Sequence, residues 1–173
     1  MNGNTSTTVP VISRQSLNRF IRFVQHPLKF PLYLLWKLPS AWLSGIKVIS
    51  LYPEGCTITV PYKWLSQNPF RSTYFACLSM AAEMSTGLLA MMYINNAPKR
   101  ISMLVTGMEA GFVKKAVGIT WFTCKEGEAI HAAIEQALSQ EEPVTVTVNS
   151  EGKNKDGTLI ASFRITWSFK SKS

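Results

Sequence analysis

One stretch, FRSTYFACLSMAAEMSTGLLA from Phe70 to Ala90, constrains this chain more than any other. From about Thr73 to Ile94 the sequence has no Pro and is apolar on nearly every side, which predicts a long helix that must be enclosed rather than laid on a surface. Enclosure raises a problem, because Glu83 stands in the middle. An unpaired carboxylate in apolar surroundings costs several kcal/mol or else keeps its proton. The segment is long enough to cross a bilayer. Ser79, Glu83, Ser85 and Gly87 sit mid-segment, however, and favour a buried helix in a soluble fold.

The flanking segments supply the enclosure. Lys47–Tyr52 and Cys56–Tyr62 read as strands around a Pro53-Glu54-Gly55 turn. Lys63 to Ser72 is a loop containing Asn68-Pro69. Ser102–Ala110 and Lys114–Cys124 are rich in Val, Ile, Thr and aromatics, with Gly111 near their turn. Gly127–Ser139 carries helical periodicity through Ile130, Ile134, Ala137 and Leu138. Val144, Val146 and Val148 then alternate with polar residues, as do Leu159, Ala161, Phe163, Ile165 and Trp167, around a turn at 153–157. The order β-β, long helix, β-β, short helix, β-β predicts an α+β fold: an antiparallel sheet wrapped around the apolar helix. Its length of 173 residues suffices for one core without disulfide or metal staples.

Ahead of this lie two further segments. Residues 1–12 are a polar tail expected to be disordered, without the pattern of a secretory signal. Residues 13–44 form a helical extension, and the main domain runs over 45–170. In the extension Leu17, Phe20, Ile21, Phe23 and Val24 alternate with Arg14, Arg19 and Arg22, an amphipathic pattern interrupted near Pro27 and Pro31. It suits either a helix capping the fold's own apolar surface or a peripheral membrane contact through residues 14–36.

The net charge of +8 attracts an anionic partner: nucleic acid, a phosphate-bearing cofactor or an anionic membrane. Nucleic acid ranks last, since the basic residues are scattered without an aromatic-basic motif. Cys56, Cys77 and Cys124 lack CxxC spacing and read as free thiols of a cytoplasmic protein. Asp156 lies in a turn, His131 on a polar helix face and His26 beside Pro27. A metal site and a Ser-His-Asp triad are therefore not expected, and neither a GxGxxG nor a P-loop occurs.

Chemistry then falls to the long helix. Ser72, Ala76, Ser79, Thr86, Gly87 and Ala90 share a face with Glu83, and all are small. Such a stripe leaves room for another backbone or for a substrate, with Glu83 as base or nucleophile. Spacing alone supports both readings equally. Ser72 or Thr73 can cap the helix, leaving free N–H groups around Tyr74, Phe75 and Ala76 for a carbonyl gaining negative charge. Glu83 lies roughly 10 to 13 Å further along, too far to meet them within one chain. A symmetric dimer with antiparallel helices would bring Glu83 of one copy near Asn68 and the helix start of the other.

Asn68-Pro-Phe-Arg-Ser-Thr-Tyr-Phe-Ala76 followed by Met80-Ala-Ala-Glu83, on this element order, resembles the hotdog-fold acyl-CoA thioesterase superfamily. It is most similar to an uncharacterised branch of domains of unknown function, a likeness shared by Pro39-Ser-Ala41 and Thr106-Gly-Met-Glu-Ala110. In hotdog thioesterases of the phenylacetate-pathway type an Asn precedes a His-Gly-Gly helix start, and an acid follows on the helix. Asn68 and Glu83 match by position, whereas Tyr74-Phe75-Ala76 replaces His-Gly-Gly and crowds the backbone at the carbonyl site. The resemblance implies an acyl thioester hydrolase working as a homodimer or dimer of dimers, with coenzyme A as part of the substrate and no other cofactor. Substrate contacts are then expected from Arg71, Ser79, Thr86, Gly87, Arg100, Lys114 and Lys115. The missing glycines motivate an alternative, a non-catalytic hotdog protein that binds an acyl group.

Overall fold

In the computed structural model the described residues are 14–172, so the expected tail at 1–12 lies outside them. Three short helices come first: α1 (Arg14–Val24), α2 (Lys29–Lys37) and α3 (Pro39–Leu43). Pro27 falls in the break between α1 and α2. Pro31, expected to interrupt, instead occupies the first turn of α2, where a missing N–H forfeits no intrahelical bond. Pro39 opens α3 for the same reason.

Strands β1 (Lys47–Tyr52) and β2 (Gly55–Val60) form the expected hairpin, with Tyr52 opposite Gly55 across Pro53-Glu54. A single 3₁₀ turn, Trp64–Ser66, leads into the loop before α4 (Phe75–Ile94). Then follow β3 (Ile101–Phe112), β4 (Thr120–Cys124), α5 (Gly127–Ser139), β5 (Val144–Lys153) and β6 (Leu159–Ser171). All six strands join one antiparallel sheet in the order β1-β2-β4-β5-β6-β3. The sheet encloses α4, which packs on β1, β2, β4, β5 and β6. By length and composition α4 could cross a membrane, but most of it is buried in this core.

The strand expected over Lys114–Cys124 begins only at Thr120, and β3 and β4 are not neighbours. β3 lies at one edge beside β6, while β4 lies between β2 and β5, so residues 113–119 must travel across the fold. Their backbone groups bond to other elements on the way. Val113 N–H donates to Ile160 O (2.8 Å), Thr73 N–H donates to Ala116 O (2.8 Å), and Tyr62 N–H donates to Gly118 O (3.0 Å). β-prone residues here satisfy a crossing instead of a ladder.

Because α4 is apolar nearly all round, burial of apolar area gives it little preference for one rotation. Two buried polar contacts supply that preference. Ser85 Oγ and Ser150 Oγ of β5 share a hydrogen bond of 2.8 Å. The Trp167 indole N–H of β6 donates to Thr86 Oγ1 (2.9 Å), and the Thr86 hydroxyl donates to the Glu83 main-chain oxygen (2.9 Å). With Ser85 turned to β5, Glu83, about 200° around the helix, is turned away from that strand, and its carboxylate lies near the Trp167 indole edge. Thr86→Val keeps the shape but strands the indole N–H of a buried Trp. We expect it to lower unfolding free energy by about 1–3 kcal/mol in urea titrations followed by circular dichroism.

Candidate active site

Ser79, Met80, Glu83 and Met91 are only half-buried, marking the side of α4 that the sheet leaves uncovered. The N-terminal helices partly close this side. Between α2, α4 and β3 lies a cleft of 230 Å³. Phe30, Tyr33 and Leu34 of α2, Met84, Leu88 and Met91 of α4, and Met103 of β3 make its apolar walls. Glu83 and Lys37 are its charged groups, and Gly87 forms part of the floor.

Gly87 has a local reason. A Cβ there would stand 3.1 Å from Glu83 Oε1 and 3.3 Å from Trp167 Cζ2. The bare backbone thus lets the carboxylate lie back against the helix beside the indole edge. No hydrogen bond or ion pair to the Glu83 carboxylate occurs among the described residues, although Lys37 lines the same cleft. Burial, without a compensating charge, pushes its carboxyl above the ordinary carboxylate range. Such a group is a proton acceptor stronger than a surface carboxylate, held against an apolar cavity.

The helix start is built differently from the expectation. Tyr74 stands at the N-cap with extended backbone and no side-chain cap bond. The Ser72 hydroxyl donates to Asn68 Oδ1 (3.3 Å) and the Thr73 hydroxyl to Ala116 O (3.2 Å), so neither caps α4. The Tyr74 N–H donates to Ser66 O and the Cys77 N–H to Tyr74 O. Of the three residues expected to offer free donors, Phe75 and Ala76 retain them. Asn68 Oδ1 accepts from Phe70 N–H (3.0 Å) and Ser72 N–H (3.3 Å), which folds 68–72 into a tight loop. Arg71 takes the left-handed φ of 57° at the tip of that loop.

The remaining candidates separate. Ser79, one turn before Glu83, donates its hydroxyl to Phe75 O (2.9 Å). Thr86 is fully buried with its hydroxyl occupied on both sides, so it does not reach the cleft. Lys115 Nζ donates to Phe70 O (3.3 Å), which places Lys115 beside the Asn68–Ser72 loop. Lys114 is its exposed neighbour. Arg100 precedes the opposite end of β3, on the order of 40 Å away by strand rise. Sequence reasoning missed Lys37 and the α2 wall of the cleft. The available signal was the spacing Phe30, Leu34, Lys37, which puts all three on one side of α2.

A family model for DUF4442, a domain of unknown function, matches residues 30–169. The chain belongs to this family. The DUF4442 region thus takes in α2 and α3 together with the sheet. Solved structures share its architecture at low identity. A Pseudomonas aeruginosa protein of unknown function, described as a probable thioesterase, is 17% identical with a TM-score of 0.68, over 90% of this chain and 95% of that one. A Chlorobaculum tepidum protein of unknown function is 11% identical with a TM-score of 0.71, over 91% and 96%. A Haemophilus influenzae thioesterase is 11% identical with a TM-score of 0.59, over 81% and 88%. These likenesses establish the hotdog fold for the DUF4442 chain. No curated protein matches it.

The acid's burial has a measurable consequence for stability. The folded DUF4442 chain holds the Glu83 proton to higher pH than the unfolded chain does. Stability therefore falls as pH rises from the ordinary carboxylate range to the raised value. Glu83→Gln removes that dependence. Its melting temperature should exceed wild type at about pH 8, and the difference should vanish as pH drops below the ordinary carboxylate range.

Proposed function

We propose that this protein hydrolyses acyl thioesters, with Glu83 acting as general base on water or as nucleophile at the thioester carbon. The observation that carries the reading is an unpartnered, half-buried carboxylate of raised proton affinity opening into an apolar cleft. The cleft suits an acyl chain, and the acid suits the one proton transfer that hydrolysis needs. As base, Glu83 accepts a proton from water while the water oxygen bonds to the carbonyl carbon. The tetrahedral intermediate then collapses, the C–S bond breaks, and the thiolate takes the proton back. The products are a carboxylic acid and a thiol.

The second half of the reading is a dimer. The Phe75 and Ala76 N–H groups are the donors for the oxyanion, with Asn68 orienting water or the carbonyl through its amide N–H₂. They lie roughly 12 Å along α4 from Glu83, so the donors are taken from a second copy. Two features support such pairing. β3 is a twelve-residue edge strand with its outer backbone unpaired and Leu104, Met108 and Phe112 exposed. Met103, on the same strand, lines the Glu83 cleft, so the acid lies near that edge. Arg71, Lys114 and Lys115 around the Asn68 loop then provide contacts for the phosphates of coenzyme A.

Tyr74-Phe75-Ala76 at the helix start favours a second reading, in which the acyl group is bound but not cleaved. A panel of acyl-CoA esters from short to long chain separates the two. Glu83→Gln should lose about 10²-fold or more in kcat/KM. The wild-type rate should rise with pH along a limb displaced above the ordinary carboxylate range. Equal rates for both proteins would refute the role of Glu83. No hydrolysis of any ester, with acyl-CoA retained in native mass spectra, would select the binding reading.

A further inference from the structure

α2 is apolar on two sides, and only one of them is used inside the fold. Phe30 and Leu34 turn inward and are buried. Leu28, Leu32, Leu35 and Trp36 recur at helical spacing on the opposite side, in water. Exposure is large where it counts, at 65% for Leu32 and 81% for Trp36. Trp42 and Leu43 of α3 are exposed as well, in the helix that follows after one residue. Apolar side chains gathered in this way mark a docking surface rather than ordinary scattered exposure.

Charge identifies the partner. No Asp or Glu precedes Glu54, whereas Arg14, Arg19, Arg22, Lys29, Lys37 and Lys47 all do. Arg19, Arg22 and Lys29 are exposed, and none of the three forms an ion pair among the described residues. A second copy seated on this face would bring together two helical segments whose charges are all basic. Nucleic acid would meet the basic side chains but leave the Leu and Trp side chains without a partner. A bilayer bearing anionic lipid satisfies both parts. Leu and Trp enter the boundary between headgroups and acyl chains, and Arg and Lys meet lipid phosphates.

We propose that the α2–α3 face docks on the surface of an anionic lipid bilayer. If the hydrolase reading above holds, docking also sets the substrate class. The inner face of α2 walls the Glu83 cleft, so one helix diameter, about 10 Å, separates the acid's cleft from the bilayer. Long-chain acyl thioesters, which partition into membranes, then arrive beside it.

Flotation of the full chain with vesicles tests the proposal without reference to catalysis. The probes are phosphatidylcholine alone and phosphatidylcholine with about one-quarter phosphatidylglycerol. We expect binding to the anionic vesicles at about 50 mM salt, weakened at about 500 mM, and little binding to the neutral ones. Leu32→Ser with Trp36→Ser should weaken binding at least about tenfold. Arg22→Gln with Lys29→Gln should weaken it about 30-fold on the anionic vesicles. All four positions are exposed or project outward from short helices, and unchanged melting curves would confirm that the variants fold. Glu83→Gln should bind vesicles as wild type does, which keeps this test separate from the assay of hydrolysis. Absence of binding, binding indifferent to lipid charge, or full binding by the Leu32/Trp36 variant would overturn the proposal. So would an oligomer that fails to float and that the Leu32/Trp36 variant dissociates, since the face would then be an interface between copies.

Discussion

The rotation of α4 about its own axis is the constraint on which the rest of this structure depends. A helix without a polar face has no hydrophobic reason to prefer one orientation inside a sheet. Ser85 and Thr86 provide one, by hydrogen-bonding to Ser150 of β5 and Trp167 of β6 from adjacent positions on the helix. Each bond contributes modestly when made, but rotating the helix would strand the buried Ser150 hydroxyl and Trp167 indole N–H, while the Ser85 and Thr86 hydroxyls keep their bonds to Ala82 O and Glu83 O. That asymmetry turns two small contacts into a steep orientational preference. The direction of Glu83, the approach of Trp167 to Gly87 and the floor of the cleft all follow from it.

Glu83 is then a cost that the fold carries. Its carboxylate faces apolar side chains on α2, α4 and β3, and its proton affinity is raised by desolvation alone. A Gln at this position would relieve that penalty, and so would a serine, because the cleft has room. The acid therefore does not stabilise the fold. Lys37, in the same cleft but unpaired with Glu83, sharpens the point. Lining one cleft has not joined the two in an ion pair, and the acid stays unneutralised. A buried acid in such a setting is a candidate for proton transfer or for a ligand that completes it, which is the basis of the function proposed above.

How far the sequence exposed this design varies by element. The β1–β2 hairpin was legible because Pro53-Glu54-Gly55 punctuates two β-rich runs, and β5 and β6 because their alternation matches a sheet buried on one face. α4 was legible because it is long and mostly apolar, and Glu83 because it is the one charged residue within it. Residues 113–119 misled because Val and Ile report an environment suited to strands and say nothing about which strand lies next door. The crossing is set by β4 entering the sheet between β2 and β5, a fact about elements far apart in sequence. Ser72 and Thr73 misled for a related reason. Both are good caps, but Asn68 and Ala116 compete for their hydroxyls and win. The wall that α2 lends to the cleft escaped notice because a two-sided apolar helix looks, in one dimension, like one that is merely buried.

The two halves of the proposed chemistry sit about two turns apart on one helix, and this separation is itself informative. The unpaired N–H groups of Phe75 and Ala76 mark the start of α4, while Glu83 lies two turns on, with backbone between them that cannot fold back. No side-chain rearrangement in a single chain closes roughly 12 Å along a straight helix. Either the acid and the donors serve different ends, or a second α4 runs antiparallel beside the first and exchanges them. The second option requires an uncovered helix side and an unpaired sheet edge close to it. Beyond its first residue, α4 is half-buried at Ser79, Met80 and Glu83, and the nearby strand β3 ends the sheet. Both lie open at the same place, which is what the dimer proposed above would use.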